Sequence, residues 1–237
     1  MQINSVKVWS AFLMNLIKSL SRIIGILVAT SVTQECNAFE NLDFESAVVT
    51  GFPVGYPLPV ENALPGWNAY YNGVPTSTVW HNTESLGSGI IAINDANYLY
   101  GFVPLEGTYS VGLQGFGGSA SIGQSGIIPS DSLSVIFLFR NENVSDFEVS
   151  FKGHVLSYSA IISESTYKVC AADISEFAGQ TGELRFTESN YGRAIIDDIH
   201  FSTKAIVVPE PGTVGLFALG ALAMAGRFLW RKRSVMS

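Results

Sequence analysis

The chain has 237 residues, with 13 lysines and arginines against 20 aspartates and glutamates, for a net charge of −7 at neutral pH. That balance excludes a nucleic-acid binder and a protein held to anionic lipid by its charge, since both need a basic surface. Two cysteines are too few for a disulfide framework.

In chain order, the first element is a leader. Lys18 and Arg22 precede the apolar run Ile23 to Ala29, and Cys36-Asn37-Ala38 offers small residues where a signal peptidase inspects them. Residues 1–38 therefore read as a signal peptide cleaved after Ala38, with initiation at Met1 or at Met14. Cys36 is no lipid-attachment site, because Gln34 and Glu35 before it are too large and polar.

Residues 39–207 form the next unit, long enough for one domain with a sizeable core. Counted to Val208, the segment holds six basic residues and eighteen acidic ones, a net of −12. Its single cysteine, Cys170, reads as a small buried hydrophobe, so stability rests on packing and on a metal if one is bound. Residues 50–65 hold four of the nine prolines and predict a long loop. Short alternating runs then recur between Gly, Pro, Asn and Ser breakers. They lie at 67–71, 78–81, 90–93, 109–113, 119–128, 133–139, 147–151, 154–159, 167–171, 184–187 and 194–201. This spacing predicts an all-β domain, a single jelly-roll β-sandwich. One helical turn is expected over 173–178, with Asp173 as N-cap and Gly179 as the stop.

The chain ends with Pro209-Glu210-Pro211, an uncharged stretch from Pro211 to Gly226, and the basic cluster Arg231-Lys232-Arg233. Extended to Trp230, the stretch predicts a helix of roughly 28 Å, close to the hydrocarbon thickness of about 30 Å. The positive-inside bias keeps the cluster cytoplasmic and places everything upstream across the membrane. Tripeptide, span and basic tail together resemble the PEP-CTERM sorting signal over residues 208–233. The resemblance implies export across the inner membrane of a Gram-negative bacterium, recognition of the signal by the transpeptidase exosortase, and delivery to the cell surface. An ordinary membrane anchor has the same topology.

A second resemblance covers most of residues 39–202. The opening Asn41-Leu42-Asp43-Phe44-Glu45, Leu64-Pro65-Gly66-Trp67, the stretch Asp173 to Gln180 leading to Leu184-Arg185-Phe186, and the closing Ile196-Asp197-Asp198-Ile199 are similar to galactose-binding-like jelly rolls, which include many carbohydrate-binding modules. It implies a structural calcium held by Glu45 with Asp197 or Asp198 and completed by carbonyls and water. The alternative is that one aspartate bonds loop amides while the other is solvated. Alternation places Asp197 with Ile195 and Ile199, and Asp198 with His200.

Sugar binding needs aromatic faces and nearby amide or carboxylate groups. The candidates are Trp67, Tyr70, Trp80 and Tyr98, with Tyr71, Tyr100 and Phe116 as further aromatics and Asn68, Asn72, Asn94 and Gln114 close in sequence. Trp67 and Tyr71 share a strand face and leave Tyr70 on the other. Most aromatics of a sandwich belong to its core. Gly115-Phe116-Gly117-Gly118 follows a strand without opening a helix, so it reads as a turn and not a phosphate cradle. No nucleophile elbow, zinc-protease motif or paired-cysteine motif is present, and nothing singles out a carboxylate pair for glycosidase chemistry. The expected function is therefore non-catalytic association with extracellular polysaccharide, the alternative being a structural or adhesion protein of the biofilm matrix.

Overall fold

The computed structural model describes residues 37–83, 89–98, 104–142 and 146–206. The expected sorting segment, with Pro209, Glu210, Pro211, Arg231, Lys232 and Arg233, lies outside them, and so does the expected leader apart from Asn37 and Ala38. Among the described residues no helix is long and apolar enough to cross a membrane.

The domain is an all-β sandwich. Its strands are β1 (Pro57–Pro59), β2 (Asn68–Tyr71), β3 (Val74–Thr76), β4 (Thr78–His81), β5 (Ile90–Asn94), β6 (Ser110–Gln114) and β7 (Gly118–Ile127), followed by β8 (Ser134–Glu142), β9 (Glu148–Phe151), β10 (His154–Leu156), β11 (Tyr158–Ser163), β12 (Lys168–Asp173), β13 (Thr181–Asn190) and β14 (Arg193–Ser202). One sheet runs β1-β4-β5-β6-β14-β8-β12-β11 and the other β10-β9-β13-β7-β2-β3. Only the β4–β5 pairing is parallel; the other ladders between these strands are antiparallel, so each strand turns one face to the facing sheet and one away.

The core between the sheets is aromatic. Phe44 packs on Trp67 at 5.6 Å between ring centroids, Trp67 on Phe186 at 6.2 Å, and Phe186 on Phe137 at 5.5 Å. Phe147, Val149 and Phe151 point inward and Glu148 is exposed, the period of two read from the sequence. Cys170 is 1% exposed, and burial pushes its thiol up to about 11.

Three expectations change. The run 154–159 is two strands, because the chain crosses at Ser157 from the six-stranded to the eight-stranded sheet. The loop 50–65 contains β1 and a helical turn, Val60–Ala63. The turn expected over 173–178 is a 3₁₀ turn, Ser175–Phe177, and the Asp173 Oδ1 accepts hydrogen bonds from Ser175 N–H and Oγ–H at 2.9 and 2.7 Å.

Candidate functional site

The four aromatics expected to hold a ligand do not share a surface. Trp67 is a core residue at 4% exposure, and its indole N–H donates to Asn41 O at 3.0 Å. Its ring is therefore unavailable for stacking, although its edge reaches an open cleft of about 440 Å³ that is also lined by Glu61, Asn68, Pro75 and Thr76. Tyr98 is 5% exposed, and its hydroxyl accepts from Arg193 Nη2 at 3.2 Å, so burial removes it as well. Trp80 alternates with the core residue Val79 and stands half-buried on the outer side of the eight-stranded sheet.

Tyr70 lies on the opposite side of the molecule. Ala69 and Tyr71 turn to the core while Asn68 and Tyr70 turn outward, as alternation predicts. The Tyr70 hydroxyl donates to Glu183 Oε1 at 3.1 Å, and the Arg185 guanidinium sits 4.0 Å from its ring centroid while also pairing with Glu183 at 2.9 Å. Burial first, then the Glu183 charge, raises the phenol above its usual range. This is a self-satisfied polar cluster, and one face of the ring is already occupied by a cation.

Among the described residues exposed aromatic surface occurs at Tyr56, 62% exposed just before β1, and as a pair at one end of the sandwich. Phe116 is 40% exposed and Tyr191 is 71% exposed, and their rings meet edge to face at 5.5 Å. Phe116 belongs to the β6–β7 turn and Tyr191 to the β13–β14 turn. Gly117 N–H donates to Asn190 O at 2.7 Å and binds the two turns together. The close approach requires glycine at 115, where a Cβ would stand 2.7 Å from Asn190 O. Phe116 itself has φ of +46° and Asn190 +56°, a left-handed backbone that costs a non-glycine residue about 1 kcal/mol or more. Beside the pair is a recess of about 190 Å³ lined by Tyr71, Asn72, Gly89, Ser119 and the 115–118 turn. That is below the roughly 300–1,000 Å³ of pockets for drug-sized ligands, and suits one sugar ring. Asn72 Oδ1 accepts from Ser119 N–H at 2.8 Å, and so its amide N–H₂ is oriented outward from that bond as a donor. Phe116 was legible as an aromatic of the region; Tyr191 carries only the signal of an aromatic placed in an Asn-Tyr-Gly turn.

The carboxylates expected to hold calcium converge on one loop, 104–110. Glu45 Oε1 accepts from Thr108 N–H and Tyr109 N–H at 2.7 and 2.9 Å. Asp197, fully buried, accepts from Ser110 Oγ–H at 2.6 Å, Glu106 N–H at 3.0 Å and, through its other oxygen, Asp198 N–H at 2.8 Å. Burial outweighs these donors and pushes the Asp197 carboxyl up to about 7. Asp198 is half-exposed, with φ of +41°. It lies in a β-bulge of β14 between Asp197 and His200. The bulge overturns the expected pairing of faces: Asp197 stays with Ile195, whereas Ile199 turns into the core. Among the described residues no three His, Cys, Asp or Glu side chains converge as a metal cluster.

One further polar knot is purely internal. His81, 5% exposed, places Nδ1 2.9 Å from Phe52 O and Nε2 3.2 Å from Asp95 Oδ2. Burial raises the Asp95 carboxyl, but hydrogen bonds from Asn82, Asn97 N–H and His81 more than offset it and hold the group below its usual range. The knot ties the ends of β4 and β5 to the 52–55 loop.

Residues 207–233 match the family model described as the PEP-CTERM protein-sorting motif, which marks the chain as exported and sorted in the envelope. No curated protein matches the chain. Similar solved structures include TmCBM61 in complex with beta-1,4-galactotriose, at 16% identity and a TM-score of 0.38, covering 71% of this chain and 99% of that one. A family 11 carbohydrate-binding module from Clostridium thermocellum, in complex with a beta-1,3-1,4-mixed-linked tetrasaccharide, is similar at 11% identity and a TM-score of 0.36, covering 64% and 96%. The enzymatically active domain of bacteriophage CBA120 tailspike protein 4 is similar at 14% identity and a TM-score of 0.39, over 70% of this chain and 21% of that one, so this chain spans about a fifth of its length. None of these likenesses transfers a residue role.

Proposed function

We propose that the chain is an exported, non-catalytic glycan-binding protein that contacts extracellular polysaccharide through the end bearing Phe116 and Tyr191, and that an exosortase processes its C-terminal motif. The observation that carries the reading is the exposed aromatic pair itself, held beside a polar recess by a turn that Gly115 permits and Phe116 strains. A sugar ring offers one apolar face and a rim of hydroxyls. An exposed ring beside an amide and backbone groups answers both.

Affinity electrophoresis on the host's exopolysaccharide tests it. The wild-type protein is retarded, and Phe116→Ala with Tyr191→Ala weakens retention about fivefold or more, since each aromatic contact is worth roughly 0.5–1.5 kcal/mol. Retention equal to wild type in the double variant removes this end as the site. Loss in Tyr70→Phe or Trp80→Ala instead moves the contact to a sheet face.

A calcium ion at Glu45 and Asp197 belongs to the same proposal. The convergence of both carboxylates on loop 104–110 supports it, whereas the N–H and O–H donors that meet them must turn away for an ion to enter. Calcium added after chelation should raise the melting midpoint, and Glu45→Gln or Asp197→Asn should abolish the rise. An unchanged midpoint leaves the carboxylates as anchors of the loop alone.

A further inference from the structure

Open sheet edges are templates for another strand, and proteins blunt them by shortness, proline or charge. The sandwich has four edges, of which three are treated this way. β1 is three residues long with prolines at 57 and 59, β3 is three residues long with Pro75 at its centre, and β10 is three residues long. The fourth, β11, is six residues long and reads Tyr-Ser-Ala-Ile-Ile-Ser, with neither charge nor proline. Ile161 and Ile162 are 48% and 50% exposed. Among the described residues β11 pairs only with β12.

From this asymmetry we infer that β11 is an assembly edge that pairs antiparallel with β11 of a second copy of this chain. The occupant follows from matching. The other three edges of a second copy are too short or too proline-broken to run along six residues, so its own β11 is the one edge of equal length. Charge points the same way. The domain carries −12, which opposes association between most pairs of surfaces, but β11 brings no like charges together along its length. An antiparallel twofold pairing also sets Glu164, just past the strand, beyond the uncharged Ser157 end of its partner, whereas a parallel pairing would stack the two Glu164 side chains. β11 carries one blunting device, a bulge between Ala160 and Ile162 that twists the edge locally, yet the bulge leaves Ile161 outside the β12 ladder and so keeps two successive half-exposed isoleucines on the edge. The contact is small, and the dimer accordingly is weak and forms reversibly at high protein concentration.

Sedimentation velocity of the protein recovered after export, over rising concentration, reads the state directly. A reversible dimer is expected, and Ile161→Lys with Ile162→Lys should render it monomeric without moving the melting midpoint, since both side chains are exposed. Ala160→Cys mixed with Ile161→Cys, positions that face each other in this pairing, should cross-link to a covalent dimer under oxidation, several-fold faster than Val74→Cys on the blunted β3 edge. A monomer up to about 1 mM, a dimer indifferent to the lysines, or equal cross-linking from both edges each overturns the inference. Phe116→Ala with Tyr191→Ala serves as the internal control; a dimer lost there places the contact at the loop end and overturns it too.

Discussion

Phe116 shows how a single residue can be read for chemistry and still conceal its role. Its side chain is apolar and 40% exposed, and its backbone is left-handed, so it stands where glycine would be more stable. Phe116→Gly should raise the unfolding free energy by up to about 1 kcal/mol while weakening sugar retention, an opposition of signs that a purely structural residue would not produce. Asp197 sets the pH response. Its carboxyl is raised to about 7 in the folded chain against about 3.9 unfolded, so the folded state holds the extra proton between those values. The associated stability is present below about pH 4 and is lost as pH rises to about 7, by an amount on the order of 2–4 kcal/mol. Denaturation curves across that window should show the decline, and Asp197→Asn should flatten it. Bound calcium would instead keep the carboxylate ionised and remove the decline, so the same titration with and without the ion separates the two states. Asp197 was legible as a buried carboxylate in an apolar strand, but its partners were not, because Ser110 and the Glu106 amide lie about ninety residues away in sequence.

Elements with a regular period were readable in advance. Each expected strand is present, and β9 shows inward Val149 and Phe151 with outward Glu148 as alternation requires. The failures have a common cause in neighbours that local sequence does not contain. β1 and β3 are three-residue strands made by pairing with β4 and β2, and the division of 154–159 depends on which sheet has room for each half. The β14 bulge moves Ile199 to the core against the period. The aromatic end depends on two turns meeting, and Gly115 is the residue that lets them. Gly115→Ala should cost about 1–3 kcal/mol, because its Cβ meets backbone and no flexible side chain. Urea denaturation measures that loss, and sugar retention should fall with it as the Phe116 turn shifts.

For the whole molecule, address was more legible than partner. The sorting motif is a linear string, so order and spacing suffice to find it, whereas Phe116 and Tyr191 become a site only after some seventy residues have folded between them. Mass spectrometry of the surface protein should find Phe39 at its start and a C-terminus lacking Arg231-Lys232-Arg233; an intact tail contradicts processing. Strand β14 adds a direction to this arrangement. It begins just after Tyr191 and ends at Ser202, where the chain leaves the sandwich toward the sorting segment. Ten residues of strand span roughly 33 Å, so the aromatic pair and Ser202 stand at opposite ends of β14. Antiparallel pairing through β11 would run the β14 strands of the two copies in opposite directions, so a dimer built that way would hold its two aromatic pairs at opposite ends, each open to a separate glycan chain.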